Sequence, residues 1–157
     1  MEKSLPFKNL AQALKDAQDE LPVILNNAKN PFYKSGYADL GQHIKIIRPI
    51  LSKHGLVAIQ TAVNNEGGIG VETMLVHVES GEWISDTITV PLPKDPIDYM
   101  EAIAGEPIKK KGSRSPAQLA GAHITYLRRY ALATIVGAYS GDDDDGNLSN
   151  GNGRHVQ

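Results

Sequence analysis

Lys109, Lys110, Lys111 and Arg114 place four cations within six positions, directly ahead of a segment that reads as a long helix, Ser115 to Gly137. Backbone N–H groups at a helix start, together with the helix dipole, favour anions. Lysine and arginine at the same place would act on the same phosphate chain. Two further cations, Arg128 and Arg129, lie within that helix. Upstream, Asn30 to Tyr37 (NPFYKSGY) reads as a loop from its Asn-Pro and Ser-Gly pairs. It sets Phe32, Tyr33 and Tyr37 around Lys34. Rings beside a cation on an irregular segment meet the needs of base stacking and phosphate pairing. Phe32 and Tyr33 equally suit a role as anchors of the loop in the core. The candidate nucleic-acid contacts are therefore Lys34, Tyr37, Lys109, Lys110, Lys111, Arg114, Arg128 and Arg129.

The elements that must position these residues follow from periodicity. In the long helix, Ala120, Ile124, Leu127, Ala131 and Ile135 recur at helical spacing and predict a buried stripe. Gln118, Thr125 and Arg129 fall on the far side, with Gly121 and Arg128 flanking them. The two arginines stand about 100° apart on the wheel and so predict two different jobs. Phe7, Leu10, Leu14, Ala17 and Leu21 predict an amphipathic helix over Pro6 to Glu20, stopped by Pro22. A second helix is predicted over Asp39 to His54, with core residues Leu40, Ile44, Ile47 and Leu51, a kink at Pro49 and a stop at Gly55. Lys45 and Arg48 fall off its stripe, on a solvated face. Three strands follow, Leu56–Val63, Ile69–Val78 and Trp83–Val90, joined by short turns that imply an antiparallel meander. One face of it can take the long helix and the other can meet water. The expected fold is α+β: a three-stranded meander packed on the C-terminal helix, a β-β-β-α core, with helices before it. Pro91 to Ser115 lacks clear periodicity apart from a short helical stretch over Ile97 to Ala104, and a loop of that length is usually functional or mobile.

Composition bounds the possibilities. A chain of 157 residues predicts one domain, residues 1–140, followed by an acidic Gly/Asn-rich tail, 141–157. The net charge is −2, but Asp142 to Asp145 concentrate four acids in the tail. Removing their four charges leaves the remainder at +2, which is compatible with a nucleic-acid partner. The tail does not read as a calcium loop, because Gly141 and Asn152 occupy positions that need acids. The absence of cysteine excludes disulfides and thiolate metal sites. No apolar run reaches the ~20 residues of a membrane span, and the N-terminus lacks a signal peptide's apolar region, so an intracellular soluble protein is expected. No P-loop, G-x-S-x-G or H-E-x-x-H motif is present, and the five histidines are scattered. A non-enzyme without cofactor or metal is expected.

Several stretches together resemble the ERF family of phage single-strand annealing proteins. They are Tyr37-Ala38-Asp39-Leu40, Pro49-Ile50-Leu51, His54-Gly55-Leu56, Ser80-Gly81-Glu82-Trp83-Ile84, Pro116-Ala117-Gln118, Gly121, Thr125-Tyr126-x-Arg128-Arg129-Tyr130-Ala131-Leu132 and Asp143-Asp144-Asp145-Gly146, in that order. The resemblance spans about Asn30 to Asn147. It implies binding of single-stranded DNA and ATP-independent annealing of complementary strands in phage homologous recombination. It also implies assembly into homo-oligomeric rings or filaments, and a place in the cytoplasm of a bacterial host. Gly121, Thr125, Tyr126, Arg128, Arg129 and Tyr130 are the positions it marks. A reading from a different class remains beside it: an oligomeric structural protein whose arginine helix forms a subunit interface and touches no DNA.

Overall fold

The computed structural model describes residues 1–29, 36–65, 68–91 and 116–140. Its elements are β1 (Glu2–Lys3), α1 (Lys8–Glu20), β2 (Ala28–Lys29), β3 (Gly36–Tyr37), α2 (Leu40–Lys53), β4 (Leu56–Asn65), β5 (Gly68–His77), β6 (Trp83–Val90) and α3 (Pro116–Val136). The helical stretch expected within 97–104 and the tail 141–157 lie outside the described residues.

The consecutive strands β4, β5 and β6 pair antiparallel, as alternation and short turns predict. The expected three-stranded sheet is nevertheless corrected to four strands, in the order β1-β6-β5-β4. The added strand pairs Glu2 with Ser85 and Lys3 with Ile84. Ser4 completes the seam: its N–H donates to the carbonyl of Trp83 at 2.9 Å, and its Oγ accepts from the Trp83 N–H at 2.9 Å. Two residues are too few to show an alternating pattern, so this strand has no signature in the sequence. β2 and β3 form a separate small ribbon.

Register places Leu56, Val71, Leu75 and Ile84 on one sheet face, where they are buried. The helices cover that face, with α3 lying mainly along β5 and α2 along β4. Leu10, Ala17, Ile47, Leu51, Leu132 and Val136 supply the helical side of the core. The opposite face carries Val57 and Ile59, 41% and 47% exposed. α1 is thus a packing helix, though it starts at Lys8 rather than Pro6.

Helix ends explain the boundaries. Asp39 caps α2, its Oδ1 accepting from the N–H of Gln42 at 2.7 Å. That bond is the main reason its carboxyl titrates below the usual carboxylate range. α2 is a single helix through Pro49, although the ring removes the donor that the carbonyl of Lys45 would use. α3 ends in a Schellman motif: the Ala138 N–H reaches the carbonyl of Ala133 at 2.9 Å and the Gly137 N–H that of Thr134 at 3.2 Å. Gly137 takes φ +69°, which glycine adopts without strain.

α1 is capped from a distance. Phe7 stands at its N-cap and offers no side-chain acceptor. Glu82, 4% exposed, supplies one from the β5–β6 turn, accepting from the Leu10 N–H and from Asn9 Nδ2, both at 2.8 Å. A buried carboxylate at a helix N-terminus is held by its donors and by the dipole. Glu82→Ala is expected to lower the unfolding free energy by about 2–3 kcal/mol, with Glu82→Gln losing less, as read by urea denaturation. A loss under about 0.5 kcal/mol would show that the cap contributes nothing.

Candidate nucleic-acid interface

The expected core stripe of α3 is rotated. Its buried residues are Leu119, His123, Leu127, Ala131, Leu132 and Val136. Leu127 and Ala131 are common to both lines, whereas Ala120, Ile124 and Ile135 are half-buried flanks. Polarity hides the true line in the sequence, because His123 counts against a stripe running from Leu119 to Leu127. Its imidazole is 3% exposed, and burial holds its pKa below the ordinary 6.5. On the outer side, Thr125 Oγ1 donates to the Gly121 carbonyl at 2.9 Å, a bond within the helix.

The rotation decides where the two arginines go. Arg129, expected on the far side, turns to the start of α2. One terminal nitrogen donates to the carbonyl of Ala38 at 2.8 Å and the other to the Tyr130 hydroxyl at 2.9 Å. Its guanidinium carbon lies 4.6 Å from the Tyr130 ring centroid, 5.2 Å from Tyr37 and 5.7 Å from Tyr126. Tyr126 and Tyr130 pack at 4.4 Å with planes tilted by 47°. The planar cation thus sits among three rings, an arrangement for which arginine suits better than lysine. Tyr126 remains 53% exposed, so the cluster presents an aromatic surface around a fixed positive charge.

Tyr37 lies in the strand β3, paired with Ala28, rather than in the loop expected for it, and it reaches this cluster because that strand's exit is clamped. The backbone N–H of Asn27 donates to the carbonyl of Tyr37 at 3.1 Å, and Asn27 Oδ1 accepts from the Asp39 N–H at 2.9 Å. His43, 2% exposed, donates through Nδ1 to the carbonyl of Asp39 at 2.9 Å and fixes the first turn of α2. Neither role shows in the sequence, since each depends on chain segments brought together by the ribbon and by α2.

Arg128 goes the other way, to the sheet. Its Nε donates to Gln60 Oε1 at 3.3 Å, while Gln60 Nε2 donates back to the Arg128 carbonyl at 2.9 Å and to Thr73 Oγ1 at 3.0 Å. Gln60 is a site residue that sequence reading passed over. One signal was available: it interrupts the core-facing line Leu56, Ala58 with an amide. Tyr37 and Arg129 are therefore brought together and Arg128 is set apart. Lys34, Lys109, Lys110, Lys111 and Arg114, with Phe32 and Tyr33, lie outside the described residues.

The sequence model of the ERF superfamily matches the chain over residues 10–155. The chain belongs to the ERF superfamily. Membership supports a role of the phage recombination and annealing type. Proteins of the ERF family are annealing proteins and generally not catalysts. No curated protein and no solved structure matches the chain. Among the described residues, no helix is long and apolar enough to cross a membrane.

Arg129→Ala is expected to cost about 2 kcal/mol of stability, from loss of a charged hydrogen bond to a buried segment and of ring contacts. Arg129→Lys is expected to recover less than half of it, because one ammonium cannot serve Ala38 and Tyr130 together. Thermal and urea denaturation of both variants checks this, and full rescue by lysine would contradict it.

Proposed function

We propose that the protein binds single-stranded DNA and anneals complementary strands without ATP, as a homo-oligomer. The observation that carries the proposal is the ERF superfamily match over residues 10–155. The geometry supports it with an exposed tyrosine surface around Arg129 and a second arginine, Arg128, on the sheet side of the same helix. An annealing protein must hold the phosphate backbone and leave base edges open to a second strand. In the proposed division, Arg128, Lys34, Lys109, Lys110, Lys111 and Arg114 meet phosphates. Tyr37 and Tyr126 support sugars or bases, and Arg129 meets the strand only as the charge behind those rings. One modest site repeated around an oligomer gives avidity that one subunit lacks. In this reading residues 1–140 form the binding domain and 141–157 its tail.

A second reading, an oligomeric scaffold that touches no DNA, is favoured by the exposure of Val57 and Ile59 on the sheet face away from the helices, since exposed apolar patches mark protein contacts. Fluorescence anisotropy with a labelled oligonucleotide, beside size-exclusion chromatography, separates the two. Binding by an oligomer is expected, with affinity falling linearly in log–log salt at about 0.7 per phosphate contact. An oligomer with no affinity for the oligonucleotide, or with affinity independent of salt, would favour the scaffold.

A further inference from the structure

β4 is the margin of the sheet, and among the described residues no strand pairs with its outer edge. Beside that edge, α2 and α3 leave a groove of about 480 Å³. Arg48 and Ser52 form its α2 wall, Arg128 and Leu132 its α3 wall, and Val57 and Gln60 come from β4. Isoleucine and leucine side chains of α2 make the floor apolar. Among the described residues, no carboxylate lines it.

Neither guanidinium in the groove is fully engaged by the fold. Arg48 is exposed and makes no ion pair or hydrogen bond through its side chain with any described residue. Among the described residues, Arg128 commits only its Nε, to Gln60, and leaves both terminal nitrogens uncommitted. Arg129, one position along, has both terminal nitrogens engaged. Two like charges thus share one groove with no acid among its described lining residues, and Gln60 holds one of them by the backbone as well as the side chain. Repulsion of this kind is relieved by a bound anion, and a guanidinium fork matches phosphate oxygens. The apolar floor between the walls suits the faces of sugars or bases, and the free β4 edge offers backbone donors and acceptors.

We infer that this groove holds a segment of the single strand, with Arg48 and Arg128 contacting its phosphates from opposite walls. The inference rests on the proposed function and adds to it a location and a contact, Arg48, that sequence periodicity assigns to solvent. It also sets the strand path beside the sheet margin, on the Arg128 side of α3 rather than the Arg129 side.

The test is anisotropy of the full-length protein with labelled oligothymidylate and with a mixed-sequence oligonucleotide over a range of salt. Arg48→Ala is compared with Lys8→Ala, which removes the same charge from α1, away from the groove. Arg48→Ala is expected to weaken binding to both oligonucleotides by the same factor, about five- to tenfold, and to lower the salt slope by about 0.7. Lys8→Ala is expected to leave both unchanged. Unfolding by urea and elution on size exclusion should match wild type for Arg48→Ala, because the side chain supports nothing in the fold. Wild-type binding with unchanged affinity and slope in Arg48→Ala would overturn the groove and spare the proposed function. An equal loss in Lys8→Ala would do the same. A variant that changes only the elution volume would assign the groove to a protein contact and overturn the inference. Absence of wild-type binding would overturn the inference together with the function on which it rests.

Discussion

The joint on which the candidate site depends is the guanidinium of Arg129. It is packed among Tyr37, Tyr126 and Tyr130 and bonded to the carbonyl of Ala38. That contact ties the middle of α3 to the residue before the cap of α2. Without it, the polar bonds of Arg128 with Gln60 would hold the rotation of α3 from the sheet side alone at this level. A helix docked only by apolar side chains can turn by part of a residue at small cost, since hydrophobic contact has no direction. Directional bonds at Arg129 on one side and at Arg128 with Gln60 on the other remove that freedom. The exposure of Tyr126 and the aim of Arg128 both follow from it.

In the proposed reading, the two adjacent arginines divide stability from recognition. Arg129 is satisfied internally, at three rings and two acceptors, and has little left for a partner. Arg128 is anchored at one nitrogen and presents the others to a groove. Anchoring at one atom lowers the entropy lost when an anion binds, because part of the side chain is already ordered. Cover on one side of the sheet gives the molecule its second asymmetry. Helices bury one face, while Val57 and Ile59 on the other stay in contact with water.

Features that repeat locally are legible in the sequence. Trp83–Val90 is the strand that alternation predicts, residue for residue, and Leu40–Lys53 lies between its predicted cap and stop. Gly55 and Gly137 end their helices in the left-handed conformation that their positions imply. Contacts between distant segments left no such trace. Glu82 caps a helix more than seventy residues away, and β1 joins the sheet through two residues and a serine. The stripe on α3 was displaced for a different reason. Its line runs through His123, and an apolarity count rejects a histidine that the fold buries. The separation of Arg128 from Arg129 was legible from helix geometry alone. Which of them faces the core joint was not, because that depends on the rotation His123 reveals.

The central claim is annealing. Two complementary oligonucleotides carrying a donor and an acceptor dye should gain energy transfer faster with the protein than without it, in buffer free of nucleotide and magnesium. Acceleration that disappears at high salt is the predicted result, because the strands are held by screened phosphate contacts. Strand pairing at the spontaneous rate, under conditions where the protein binds each strand alone, would contradict the account.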